Sequence, residues 1–249
     1  MPCLVKWKEK PSLNDPILIE GLPGIGFVAN IAALHLIREL QAKPFVDIHS
    51  PSFHDLSITV KDGGIASPRN TLYYYKSDGK KDLIILYGNT QALSSFGQYE
   101  LCGSILDVAQ EMTCKRIITL GGMKGKERIE NPRLFCAATD IETLKSALEI
   151  DAKIVRGQIF GVAGILIGLG KLRGMKGLCL LGETPGFYPD AAAARLVLDA
   201  LNKLLGLDVD LTGLDVAVEA TREILKGFGL YEPLEKKVKG EEPTFEWFI

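Results

Sequence analysis

Three segments constrain this chain more than any others: DLIILYGN (82–89), RIITLGGM (116–123) and KGLCLLGE (176–183). Each is apolar over the length of a strand and runs into glycine. A strand with one wet face alternates apolar and polar side chains; an unbroken apolar run needs cover on both faces. Segments with helical spacing lie between the three runs. Buried strands alternating with helices predict an α/β fold, a three-layer α/β/α sandwich with a mainly parallel sheet. No internal repeat or low-complexity linker interrupts the body, so residues 1–230 read as a single α/β/α domain.

The remaining elements follow from local pattern. PILIE (16–20) predicts a strand, and residues 26 to about 41 a helix. KPFVDIHS, LSITVKDG and NTLYYYKS are β-branched or aromatic runs bounded by turn formers, hence strands. In the segment 95–113, Tyr99, Cys102, Ile105, Leu106 and Ala109 recur at helix spacing. LFCAATD predicts a strand, IETLKSALEI a short helix and IFGVAGILIGLGKLRGM an apolar helix. Two amphipathic helices close the body, one aligning Leu198, Leu201 and Leu205, the other Leu214, Val218, Thr221, Leu225 and Phe228. Gly206 and Gly229 supply their stops.

Charge and cysteine usage exclude several function classes. A net charge of −2 offers no basic field for nucleic acid or anionic lipid. The apolar run Ile159–Gly170 falls short of the ~20 residues of a membrane-spanning helix, so no membrane partner is expected. Cys3, Cys102, Cys114, Cys136 and Cys179 form no C-x-x-C pair and predict reduced thiols in a cytoplasmic protein. MPCLVKWKEK has no apolar h-region, so no signal peptide is expected. His49, His54 and Asp55 flank a Ser-Pro turn without zinc spacing, and no metal or cofactor is expected.

Two places are candidates for chemistry. In EGLPGIGFVAN (20–30), Gly24, Gly26 and Ala29 fit the G-x-G-x-x-A dinucleotide fingerprint, with Asp47 placed for a ribose. The same glycines also serve a tight strand-to-helix passage, and no Lys-Ser or Lys-Thr follows as a Walker loop requires. The second place is the carboxyl ends of the buried strands, which border the ligand crevice of an open α/β sheet. There Asn89, Gln91, Glu100, Glu183 and Asp190 are candidates for one cleft, with Glu183 as a general base or a ligand of a nucleobase or ribose hydroxyl. The competing reading is that these groups cap helices and satisfy turns. Ser94-Ser95 lacks a G-x-S-x-G elbow, and no nucleophile–base pair accompanies the carboxylates. No catalytic residue is assigned.

The end of the chain differs in kind. YEPLEKKVKGEEPTFEWFI (231–249) is charged and proline-broken, yet finishes in Phe245, Trp247, Phe248 and Ile249. It predicts an extended tail with an apolar anchor at the free carboxylate. The anchor has two outlets for its apolar surface: a partner's pocket, or its own subunit or a neighbour.

Three blocks together, EGLPGIG (20–26), GNTQALSSFGQYEL (88–101) with RIITLGGM, and LLGETPGFYPD (180–190), resemble the proteasome assembly chaperone family, particularly its archaeal members. The likeness extends over most of the body, from about residue 15 to 228. It implies a sandwich like that of purine nucleoside phosphorylases, usually without an established catalytic role, self-association into a homo-oligomer and, for some members, binding to the proteasome core particle. It further implies that the carboxyl terminus docks between core-particle α-subunits. Partners in that system often end in hydrophobic–tyrosine–any residue; here the last three are Trp247, Phe248 and Ile249, so Phe248 stands where the tyrosine would be. The alternative function is a nucleoside- or nucleotide-binding enzyme using the strand-end cleft.

Overall fold

The computed structural model describes residues 2–59, 63–77, 79, 81–125, 129 and 131–227. Its elements in chain order are β1 (Leu4–Trp7), β2 (Ile17–Gly21), a 3-10 turn (Ile25–Phe27), α1 (Val28–Glu39), β3 (Lys43–His49), β4 (Ile58–Thr59), β5 (Ile65–Ala66) and β6 (Asn70–Tyr75). They continue with β7 (Leu83–Gly88), α2 (Ser95–Glu111), β8 (Arg116–Lys124), β9 (Leu134–Ala138), α3 (Ile141–Leu148) and β10 (Lys153–Ile154). The last are α4 (Gly161–Leu172), β11 (Lys176–Thr184), α5 (Ala191–Leu205) and α6 (Thr212–Gly227). Nine strands form one sheet in the order β1-β3-β6-β7-β2-β8-β11-β9-β10, and β4 pairs with β5 apart from it.

The continuous apolar strands occupy the centre, as their pattern requires. On one face Ile19, Ile85, Ile118 and Leu180 pack against Leu36 of α1, Leu198 and Leu201 of α5 and Leu214 of α6. On the other, Leu18, Ile84, Leu86 and Ile117 meet Leu101, Ile105 and Leu106 of α2 and Val162 and Leu166 of α4. Each such aliphatic side chain contributes about 1.5–3 kcal/mol on burial. Helices therefore cover both faces of the sheet.

The sheet is mixed, not mainly parallel. β7-β2-β8-β11 is a parallel block, whereas β1-β3-β6-β7 is antiparallel and β9 runs against β11. Side-chain periodicity records which faces are covered but not strand direction, and the short link from β6 to β7 permits only an antiparallel hairpin. β1, with alternating half-exposed residues at the sheet edge, and the two-residue β10 are strands that the pattern did not announce.

Local chemistry sets the joints. A Cβ on Gly21 would lie 2.2 Å from the Cβ of Ala33 and 2.8 Å from the carbonyl of Ala29, so its absence lets α1 lie directly on β2. Gly26 holds φ at +62°, the left-handed region that favours glycine. Ser94, Asp140 and Asp190 cap α2, α3 and α5 by accepting from the amides of Gly97, Thr143 and Ala193. Gly206, with φ +62°, terminates α5. The side chains of Thr221 and Leu225, and all of Phe228, lie outside the described residues. All five cysteines are unpaired. Among the described residues, no helix is long and apolar enough to cross a membrane.

Candidate functional site

The carboxyl ends of β2, β8 and β11 open into a cleft of about 400 Å³, bounded by the turn after β2 and the start of α4. Leu22, Leu120, Met123, Ile159, Phe160 and Leu181 make it largely apolar. Polar groups enter from Glu20, Gln91, Lys124, Arg156 and Gln158. Glu20 is 1% exposed, whereas Lys124 and Arg156 are exposed, so the carboxyl lies deep and the cations stand at the mouth.

Glu20 occupies the last polar position of an otherwise apolar central strand. One oxygen accepts from the amide of Leu22 at 2.8 Å; the other, Oε2, has no hydrogen-bond partner of normal geometry. Burial raises its pKa from 4.5 to about 8, against the smaller opposing pull of the Leu22 and Leu120 amides. At neutral pH Glu20 is a neutral acid, able both to donate and to accept. Beside it in register stand Thr119 of β8 and then Cys179 of β11.

Gln91 ties three pieces of the rim together. Its Nε2 donates to the carbonyl of Pro23 at 2.5 Å. Its Oε1 accepts from the Val162 amide at 3.2 Å and from Gln98 at 3.1 Å. Because Phe160 at the N-cap of α4 provides no side-chain cap, Gln91 substitutes from another loop.

The expected cleft residues separate on inspection. Gly24 and Gln91 line the cleft with Glu20. Gly26 is occupied by packing: a Cβ there would come 2.7 Å from Oγ1 of Thr184. Asn89 accepts from the Arg69 amide at 3.2 Å, and Glu100 is half-buried on α2; neither lines the cleft. Glu183 is held by Arg133 through two bonds, at 2.8 and 2.5 Å, and accepts from the Arg133 amide at 3.2 Å. The Arg133 side-chain bonds hold its carboxyl below the usual range. Asp190 accepts from Thr184 at 2.7 Å while capping α5. Asp47 accepts from Thr71 at 2.7 Å and pairs with Lys8 at 3.0 Å on β3, away from any ribose position beside Gly24.

Sequence reasoning passed over Glu20, Arg156, Gln158 and Phe160. The available signal was a single acid closing the apolar run PILIE, in a strand destined for the sheet centre. The expected anchor, Trp247, Phe248 and Ile249, lies outside the described residues. Among the described residues no three His, Cys, Asp or Glu side chains converge as metal ligands, and His49 Nδ1 lies 3.3 Å from the Pro68 carbonyl.

The fold and these sequence blocks find their match in one family model, the PAC2 family, over residues 18–228. The chain belongs to the PAC2 family. Its structure is similar to that of PbaB of Pyrococcus furiosus, described as an archaeal proteasome activator, at 40% identity and a TM-score of 0.87. That likeness covers 92% of this chain and 99% of PbaB. It is also similar to PbaA of Pyrococcus furiosus, described as an archaeal homologue of proteasome-assembly chaperone, at 29% identity and a TM-score of 0.77, covering 92% of each chain. An uncharacterized protein of Methanocaldococcus jannaschii is 32% identical over 243 residues, 97% of this chain and 93% of that one. The PAC2 match takes in the whole cleft, from Glu20 to Leu181, and stops before Trp247.

Proposed function

We propose that this PAC2-family chain is a non-catalytic proteasome factor that binds the core particle and aids its assembly or activation. The observation that carries the reading is its likeness to PbaB, described as a proteasome activator, over nearly the full length of both chains. PbaA, described as a homologue of an assembly chaperone, supports the same partner. Glu183 and Asp190 are committed to Arg133 and to the α5 cap, which leaves neither poised as a base.

In this reading the charged tail carries Trp247, Phe248 and Ile249 into a pocket between core-particle α-subunits. The two aromatics anchor by apolar burial and the terminal carboxylate orients them. Homo-oligomers in the cytoplasm present several tails together, and avidity offsets the hydroxyl that Phe248 lacks. Ile25 and Phe27 of the 3-10 turn, Phe96 in the first turn of α2 and Phe187 after β11, large apolar side chains left exposed, favour self-association.

Deleting residues 245–249 tests the mechanism by core-particle pull-down and by hydrolysis of a fluorogenic peptide. Loss of both association and stimulation is expected. Unchanged association would overturn the tail mechanism, whatever the body contributes.

A further inference from the structure

Among the described residues Glu20, 1% exposed, has no cation and keeps one oxygen unpartnered, which is costly to maintain. Its bond to the Leu22 amide uses Oε1 and leaves Oε2 without a partner among the described residues. Glu20 lines the cleft, and its Oε2 is buried. The apolar side chains Leu22, Leu120 and Ile159 flank the space between this acid and the mouth. At the mouth stand Arg156 and Lys124, together with Gly161 and Ala163 in the first turn of α4, whose amide dipoles favour an anion. The cleft volume of about 400 Å³ lies within the roughly 300–1,000 Å³ of small-molecule sites.

We propose that this cleft binds a small molecule of the nucleotide class, with Glu20 pairing to the nitrogen edge of a flat heterocycle and Arg156, Lys124 and the α4 N-terminus receiving its anionic group. The deep group selects the base because a neutral acid matches a donor–acceptor edge of a ring, whereas an anion at that depth would meet no cation. The apolar walls suit a flat aromatic face. The mouth selects the anion because both cations are there. This site uses neither Glu183 nor the tail, so it stands or falls separately from core-particle binding.

The test is calorimetric titration of the full chain at neutral pH with AMP, GMP, CMP and UMP, with adenosine and inorganic phosphate as separate arms. One or more monophosphates are expected to bind, more tightly than the nucleoside or phosphate alone. Glu20→Leu should fold and lose affinity about tenfold or more, since a buried ligand group then goes unpaired. Glu20→Gln, which keeps a neutral donor and acceptor, should stay close to the parent. Arg156→Ala should weaken binding roughly two- to fivefold and flatten its salt dependence. Ala163→Phe, which adds bulk to the lining without touching Glu20, should abolish binding even if the Glu20 variants fail to fold. No monophosphate bound at millimolar concentration, or binding unchanged in both Glu20→Leu and Ala163→Phe, would overturn the proposal.

Discussion

Glu20 and Glu183 are both glutamates near the carboxyl end of a central strand, 1% and 5% exposed, yet they behave in opposite ways. Glu183 has a guanidinium locked across both oxygens, and its proton is easily lost. Glu20 meets backbone amides and, among the described residues, no cation, and burial raises its pKa to about 8. Glu20 sits the deeper of the two and burial raises its pKa, whereas the Arg133 guanidinium lowers that of Glu183. A paired carboxylate is part of the scaffold; an unpaired one is a group with capacity left over.

The largest effect that would break this contrast is on pH-dependent stability. The Glu20 pKa is 4.5 when unfolded and about 8 when folded, so the folded state holds the extra proton between those values. Its contribution to stability is complete below pH 4.5 and is lost as pH rises towards 8. Urea unfolding of Glu20→Gln should lack that decline, gaining on the order of 3 kcal/mol relative to the parent between pH 5 and pH 8. Parallel pH profiles of parent and variant would show that Glu20 is already ionised. Glu183 has the reverse sign: its contribution is present above the ordinary carboxylate value and fades as pH falls through its lowered pKa.

Asp190 is a third carboxylate in the same neighbourhood, and it sharpens the comparison because it acts through backbone. Asp190→Ala removes the α5 cap and leaves the Thr184 hydroxyl without its acceptor, at a cost of about 2 kcal/mol in urea denaturation. A cost near zero would mean that another group caps α5. The smallest change is expected for Arg133→Met. It should lower the melting temperature by about 2–4 °C, because Glu183 can take up a proton or water once its partner is gone. The carbon-13 shift of the Glu183 carboxyl should report a raised pKa at the same time. An unmoved pKa would show that the Arg133 guanidinium does not set the charge of Glu183.

What was legible in the sequence follows the same physics. Ile84, Ile118 and Leu180 announced central strands because burial on two faces leaves no polar alternation to hide it. β1 was missed because Leu4 to Trp7 is a half-exposed edge whose partner, β3, begins far along the chain. The expectation of a mainly parallel sheet failed at β1, β3, β6 and β9, since direction depends on connections and not on side-chain period. At the site, Gly24 and Gln91 could be named from glycine and strand-end position. The bond from Arg133 to Glu183 spans fifty residues and has no local signature. Glu20 sat inside the motif that resembled a dinucleotide loop, but the glycines drew the attention and the acid before them carries the unspent polarity.

The position of β2 has a consequence for how the chain comes to exist. This strand is made before the strands that flank it, which begin at Leu83 and Arg116, and before β11 beyond them, which begins at Lys176. The central row of the sheet therefore cannot close during early synthesis, and nucleation must wait for β7 and then proceed outward through β8. Until then Ile17, Leu18 and Ile19 travel as an exposed sticky segment. A chain of this architecture carries its central apolar strand unpaired until the strands that flank it have been made.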